Sequence, residues 1–86
     1  MKVTIDSVTY TSGGAVLNGE TKKGQKIMID CLELFAGTLA DLFQVNDLRD
    51  TIFRTCDIYY KDGTHWIKYL GQSIRLYKMK DGTFVL

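Results

Sequence analysis

The chain has 86 residues, 45% of them hydrophobic and 24% charged, with a formal net charge of +1. That length suits one domain with a single modest core, and the composition excludes a disordered chain. The near-neutral charge lacks the strongly basic footprint of a dedicated nucleic-acid binder, and no apolar run approaches the ~20 residues that span a bilayer.

In chain order, residues 2–10 read as a strand. Val3 and Ile5 share one phase, whereas Val8 and Tyr10 share the other, so the phase switch near Asp6-Ser7 predicts a bulge or bend. Ser12-Gly13-Gly14 reads as a turn. Residues 15–20 and 26–32 read as two further strands joined by a Lys22-Lys23-Gly24 hairpin, with Ile27, Ile29 and Cys31 facing inward. Lys22, Lys23 and Lys26 make a basic hairpin tip, which in most proteins is a solvated turn.

Residues 38–54 are helical in composition but do not fit one helix. At ~100° per residue Leu39, Leu42 and Phe43 cluster on one side, and Val45, Leu48 and Ile52 on roughly the opposite side. A straight helix cannot bury both stripes against one sheet, so the pattern predicts two short helices broken near Gln44–Asn46. Thr38 and Asn46 are the candidate N-caps, and Asp41 and Asp47 suit the positive end of a helix dipole.

The last third reads as a meander. Cys56 to Tyr60 leads through Asp62-Gly63 into His65 to Leu70, then through Gly71-Gln72 into Ile74 to Met79, and through Asp81-Gly82 into Phe84 to Leu86. Asp-Gly between alternating segments is a strong hairpin signal. With two-residue loops, Tyr59 stands opposite Trp66, Lys68 opposite Arg75, and Trp66 opposite Tyr77. Cys56, Ile58, Tyr60, Ile67, Tyr69, Ile74, Leu76 and Val85 then form the core face. Asp57, Tyr59, Trp66, Lys68, Arg75, Tyr77, Met79 and Phe84 form the other. The assignment depends on the loop at Gly71-Gln72 being two residues long, because a one-residue change exchanges the faces of Arg75 and Tyr77 with those of Ile74 and Leu76.

The expected fold class is therefore α+β. It is a small curled antiparallel sheet or partly open barrel, with two short helices between strands three and four, over residues 1–86 as a single domain. The order β-β-β-α-β-β plus a C-terminal hairpin resembles that of an OB-fold, in element order alone.

The aromatic, basic and apolar second face is not what a sheet shows when that side simply meets water. Covering by other parts of the chain is the bland explanation. Protein recognition is the functional one, since interface centres are rich in Trp, Tyr, Met and Arg. We expect a small protein-binding module, an inhibitor, adaptor or regulator, acting through Tyr59, Trp66, Lys68, Arg75 and Tyr77 on a protein partner or on a second copy as a homodimer. A chain read as complete from its Met, without linker or tail, fits the small regulators of phages and mobile elements. The alternative is an OB-like binder of single-stranded nucleic acid, with Tyr59, Trp66 and Tyr77 stacking bases and Lys61, Lys68 and Arg75 holding phosphates.

Catalysis, cofactors and metals find no motif. His65 is the only histidine, and Cys31 and Cys56 lie 25 positions apart without a Cys-x-x-Cys pattern. Both cysteines fall at apolar-phase positions and read as buried free thiols. The start of the chain is too short and polar for a signal peptide. A soluble cytoplasmic protein, with no membrane partner, is the expectation.

Overall fold

The computed structural model describes all 86 residues. The strands are β1 (Lys2–Thr11), β2 (Gly14–Glu20), β3 (Lys26–Leu32), β4 (Thr55–Lys61), β5 (Thr64–Tyr69), β6 (Gln72–Lys78) and β7 (Phe84–Val85). One helix, α1 (Glu33–Phe43), and one 3-10 turn (Leu48–Thr51) join β3 to β4. The strands close into a ring in the order β1-β2-β3-β7-β6-β5-β4. All pairings are antiparallel except β3 with β7. The α+β class with a curled sheet holds, and the ring is closed rather than partly open.

β1 reaches both of its neighbours because it bends. Its pairing with β2 slips between Ile5 and Ser7, where the phase switch lies, and its first residues pair with β4. The bulge bends β1, so that its first residues run along β4 while the rest of the strand follows β2. Inside the ring, alternate residues of each strand meet: Val3 and Ile5, Ala15 and Leu17, Ile27, Ile29 and Cys31, Cys56 and Ile58, Ile67, and Leu76. Leu39, Leu42 and Phe43 of α1 and Leu48 of the 3-10 turn close one end of this core.

The connection differs from the expected pair of helices. The first piece begins five residues before Thr38, and Thr38 lies inside it. No side chain caps α1; the Glu33 amide instead donates to the Gly13 carbonyl at 2.9 Å. This contact demands a close backbone approach. A Cβ on Gly14 would lie 2.0 Å from the Cys31 carbonyl oxygen and 2.8 Å from the Glu33 nitrogen. The break falls at Gln44, in the left-handed region at φ 58°, inside the expected window. The second piece is a single 3-10 turn capped by Asp47 rather than Asn46. The Asp47 carboxylate accepts from the Arg49 amide at 2.9 Å and from the Tyr10 hydroxyl at 2.6 Å.

In the meander, β4 and β5 pair as counted, with Tyr59 opposite Trp66 and Lys61 opposite Thr64. Between β5 and β6 the loop is Leu70-Gly71, one position earlier than Gly71-Gln72. Both of its residues have positive φ, 48° and 85°, like Asp62 and Gly63 at 54° and 79°, which is the type I′ pattern with glycine second. Arg75 therefore stands opposite Trp66, and Ser73 opposite Lys68. The loop still has two residues, so every face assignment in β5 and β6 survives.

The last loop breaks the count. Lys78 pairs with Phe84 across five residues, not two. An odd loop length reverses the phase, so Phe84 enters the core and Val85 turns outward, the reverse of expectation. Phe84 sits opposite Ile29 of β3, and this parallel pairing closes the ring. Tyr60 keeps its predicted phase but sits at the rim and is 65% exposed. Its ring leads a chain of aromatic contacts, Tyr60 to His65 at 4.8 Å and His65 to Phe84 at 5.5 Å between centroids.

Candidate functional site

The five predicted residues share one outer surface of β4, β5 and β6. Register arranges them in rows. Tyr59, Trp66 and Arg75 form one row across three strands, and Asp57, Lys68 and Ser73 form the next. Tyr77 continues the surface along β6 and pairs with Val85.

Most of these side chains are held in place. The Tyr59 hydroxyl bonds the Ser73 hydroxyl at 2.9 Å. Those residues lie on strands separated by β5, so the Tyr59 ring lies across that strand. Trp66 is half-buried, and its indole N–H points at the Lys61 carbonyl across a long 3.5 Å. The Arg75 guanidinium lies 5.1 Å from the Tyr77 ring centroid, a cation–π arrangement that ties the two side chains together. Lys68 is exposed, and Tyr77 is 57% exposed.

The charge balance of the surface is one-sided. Its only acid in these rows, Asp57, is engaged by the N-terminal ammonium at 2.8 Å and by Lys2 at 3.7 Å. The hydrogen bond from that ammonium holds the Asp57 carboxyl below the usual carboxylate range. The other two ion pairs of the protein join Lys26 to Glu20 and Arg49 to Asp47. Lys61, Lys68 and Arg75 form no ion pair, although Asp57 stands opposite Lys68 and its carboxyl is lowered in part by that charge.

Beyond Arg75 and Tyr77 the surface drops into a hollow of about 240 Å³ between β6 and α1, lined by Phe35, Thr38, Ile74, Arg75, Tyr77 and Leu86. A second hollow of about 410 Å³ continues along the same seam, past Thr38 and Ile74 to Asp41, Leu42, Gln72 and Ser73. Phe35, Thr38, Ser73 and Leu86 were not among the candidate site residues. Phe35 had a usable signal: positions 35, 39, 42 and 43 follow the i, i+4, i+7, i+8 stripe of a helix, hidden by starting the helix at Thr38. The largest hollow, about 630 Å³, lies between the β2–β3 side and the β6–β7 loop, and none of the five predicted residues lines it.

The chemical candidates are scattered. Cys31 and Cys56 are buried and unpaired. Burial pushes the Cys31 thiol up to about 11 and the Cys56 thiol up to about 12. His65 packs between the Tyr60 and Phe84 rings. No group of three or more His, Cys, Asp or Glu side chains is gathered to hold a metal ion. No helix is long and apolar enough to cross a membrane.

No protein-family model, curated protein or solved structure matches the chain.

Proposed function

We propose that the chain is a protein-recognition module whose contact surface is the outer face of β4–β6 together with the adjoining α1–β6 hollow. The observation that carries this reading is the double membership of Arg75 and Tyr77. They form the edge of the aromatic, basic face and also the wall of the apolar hollow. A pocket for an apolar anchor beside Tyr, Trp and Arg is the composition of an interaction hot spot. The three cations Lys61, Lys68 and Arg75 outnumber the single acid Asp57 and favour a partner with acidic groups around that anchor. They disfavour a homodimer through this face, which sets like charges against one another. Binding rather than catalysis is part of the proposal, because a thiol with a raised pKa is a poor nucleophile at neutral pH. A cytoplasmic setting belongs to it too, supported by the two unpaired thiols.

The second reading, a single-stranded nucleic-acid binder, is favoured by the same three cations beside aromatic rings. The bent β1 shared by β2 and β4, and the helix after β3, support an OB-like arrangement by analogy. The OB analogy places the ligand on strands two and three. Here the exposed side of β3 presents Met28 and Lys26, which is paired with Glu20. That favours the protein reading.

The test is selection of short random peptides displayed against the immobilised protein, followed by titration of the only tryptophan, Trp66. Clones are expected to lose about tenfold or more in affinity with Trp66→Ala or Tyr77→Ala, with shallow salt dependence. A library without binders, or clones that bind the double variant as well as the parent, refutes the proposal. Oligothymidylate that shifts Trp66 fluorescence with steep salt dependence moves the assignment to the second reading.

A further inference from the structure

Pairing of β5 with β6 ends at His65 and Leu76, yet β6 runs on to Lys78 with β7 on its other side. At that point a further hollow of about 410 Å³ opens between the β4–β5 turn and the end of β6. Its cations are Arg75, Lys78 and Lys80, its rings are Tyr60, His65 and Tyr77, and no carboxylate lines it. All of these side chains are exposed except His65, which is half-buried. The way the charges are held is informative. Lys78 Nζ lies 5.8 Å from the Phe84 ring centroid, as the Arg75 guanidinium lies 5.1 Å from that of Tyr77. A ring attracts a cation without neutralising it, so both charges are positioned and still available. None of the three cations joins an ion pair. The flanking turn and loop carry one acid each, Asp62 and Asp81. The Asp81 carboxylate accepts from the Thr83 amide at 2.9 Å and lines the larger hollow on the β2–β3 side. Asp62 forms no ion pair and does not line this hollow.

Like charges gathered around one hollow repel, and a bound anion relieves that repulsion. A lone carboxylate matches one cation. A phosphate carries about two negative charges and several acceptor oxygens, so it can engage all three. The exposed rings suit a flat partner, and the volume falls within the range of about 300–1,000 Å³ found for small-ligand sites. We propose that this hollow binds a nucleoside phosphate, with Arg75, Lys78 and Lys80 on the phosphate and Tyr60 and His65 against the base. The site adds a small ligand to the protein-recognition surface, with which it shares Arg75 and Tyr77. A free nucleotide and the phosphorylated end of a strand carry the same chemistry, and the experiment separates them.

Calorimetric titration of the whole protein with ADP, adenosine and inorganic phosphate is the first test. ADP is expected to bind about tenfold or more tighter than either component, and to weaken as salt rises. Phosphate that binds as tightly as ADP overturns the role of the base. Polyglutamate that matches ADP overturns the nucleotide in favour of an acidic protein segment. Failure of ADP, GDP and UDP to bind at millimolar concentration overturns the site altogether. Amide NMR then locates the ligand. Shifts on adding ADP are expected at Gly63, Thr64 and His65 and from Tyr77 to Lys80; shifts centred on Lys22 and Lys23 overturn the assignment. Lys78→Met and Lys80→Met remove a charge and keep the apolar stem, and each is expected to weaken ADP by about five- to tenfold. Tyr60→Leu is expected to weaken ADP while leaving inorganic phosphate unchanged. If Lys78→Met does not fold, the exposed Lys80 carries the test through Lys80→Glu, where unchanged affinity overturns the proposal. Oligoadenylate with a 5′-phosphate fixes the source. Binding tighter than that of ADP, with shifts at the same residues, assigns the end of a strand, and equal or weaker binding assigns the free nucleotide; both uphold the ligand chemistry.

Discussion

Phe53 sits in the left-handed region at φ 72° and is 84% exposed. Its backbone is held there by two bonds: its amide donates to the Ile5 carbonyl at 2.7 Å, and the Ile5 amide donates to the Arg54 carbonyl at 2.9 Å. A residue with a Cβ pays about 1–2 kcal/mol to occupy this conformation. Glycine occupies it freely but loses about 0.5–1 kcal/mol more in ordering its backbone. The ring is largely in water, so its removal forfeits little buried area. Phe53→Gly is therefore expected to stabilise the fold by about 0.5–1 kcal/mol, a rise in Tm of about 2–8 °C for a domain of this size. Phe53→Ala keeps the Cβ and its strain and is expected to change stability by less than about 0.5 kcal/mol. Urea unfolding of the three proteins under one set of conditions separates the backbone from the ring. A glycine variant no more stable than the alanine variant refutes the reasoning, because both lack the ring and only one keeps the strain.

Gly14→Ala places a methyl 2.0 Å from the Cys31 carbonyl oxygen and is expected to destabilise by about 2–3 kcal/mol or more; a urea midpoint within error of the parent counts against the tight crossing of β2 over the β3–α1 junction. At pH 8 iodoacetamide is expected to leave the native protein unlabelled and to modify both cysteines in denaturant, since a thiol at about 11 is ionised only on the order of one part in a thousand; mass spectrometry reads this directly, and rapid native labelling contradicts the burial of Cys31 and Cys56. Asp57, Asp47 and Asp81 are held below the usual carboxylate range by the N-terminal ammonium, by Arg49 with Tyr10, and by the Thr83 backbone amide respectively. Groups depressed on folding stabilise above their unfolded value and lose that contribution as pH falls through the folded one. Thermal stability is thus expected to decline below about pH 4, less steeply in Asp57→Asn; equal slopes in the two proteins contradict the Asp57 contribution.

Much of the candidate surface was legible because it is local. Alternation has a period of two, and a turn of two residues conserves phase wherever its centre falls. The β5–β6 loop moved by one position, to Leu70-Gly71, and still Trp66, Lys68, Arg75 and Tyr77 stayed on one face. The bulge in β1 and the break at Gln44 were likewise written in local phase switches. The start of α1 was not. Its first amide is satisfied by the distant Gly13 carbonyl, a tertiary contact that leaves no capping residue to read.

The sequence alone determined β4, β5 and β6, their two faces and the shared face of the five predicted residues, because neighbours a few positions apart decide those. Only the tertiary structure decided that the sheet closes, that Phe84 belongs to the core, and that the outer surface ends in a hollow lined by Phe35 and Leu86. Each of these depends on β7, a two-residue strand with no periodicity of its own. Its face was set by an odd loop and its partner by β3, more than fifty residues away in the chain, and neither leaves a local trace.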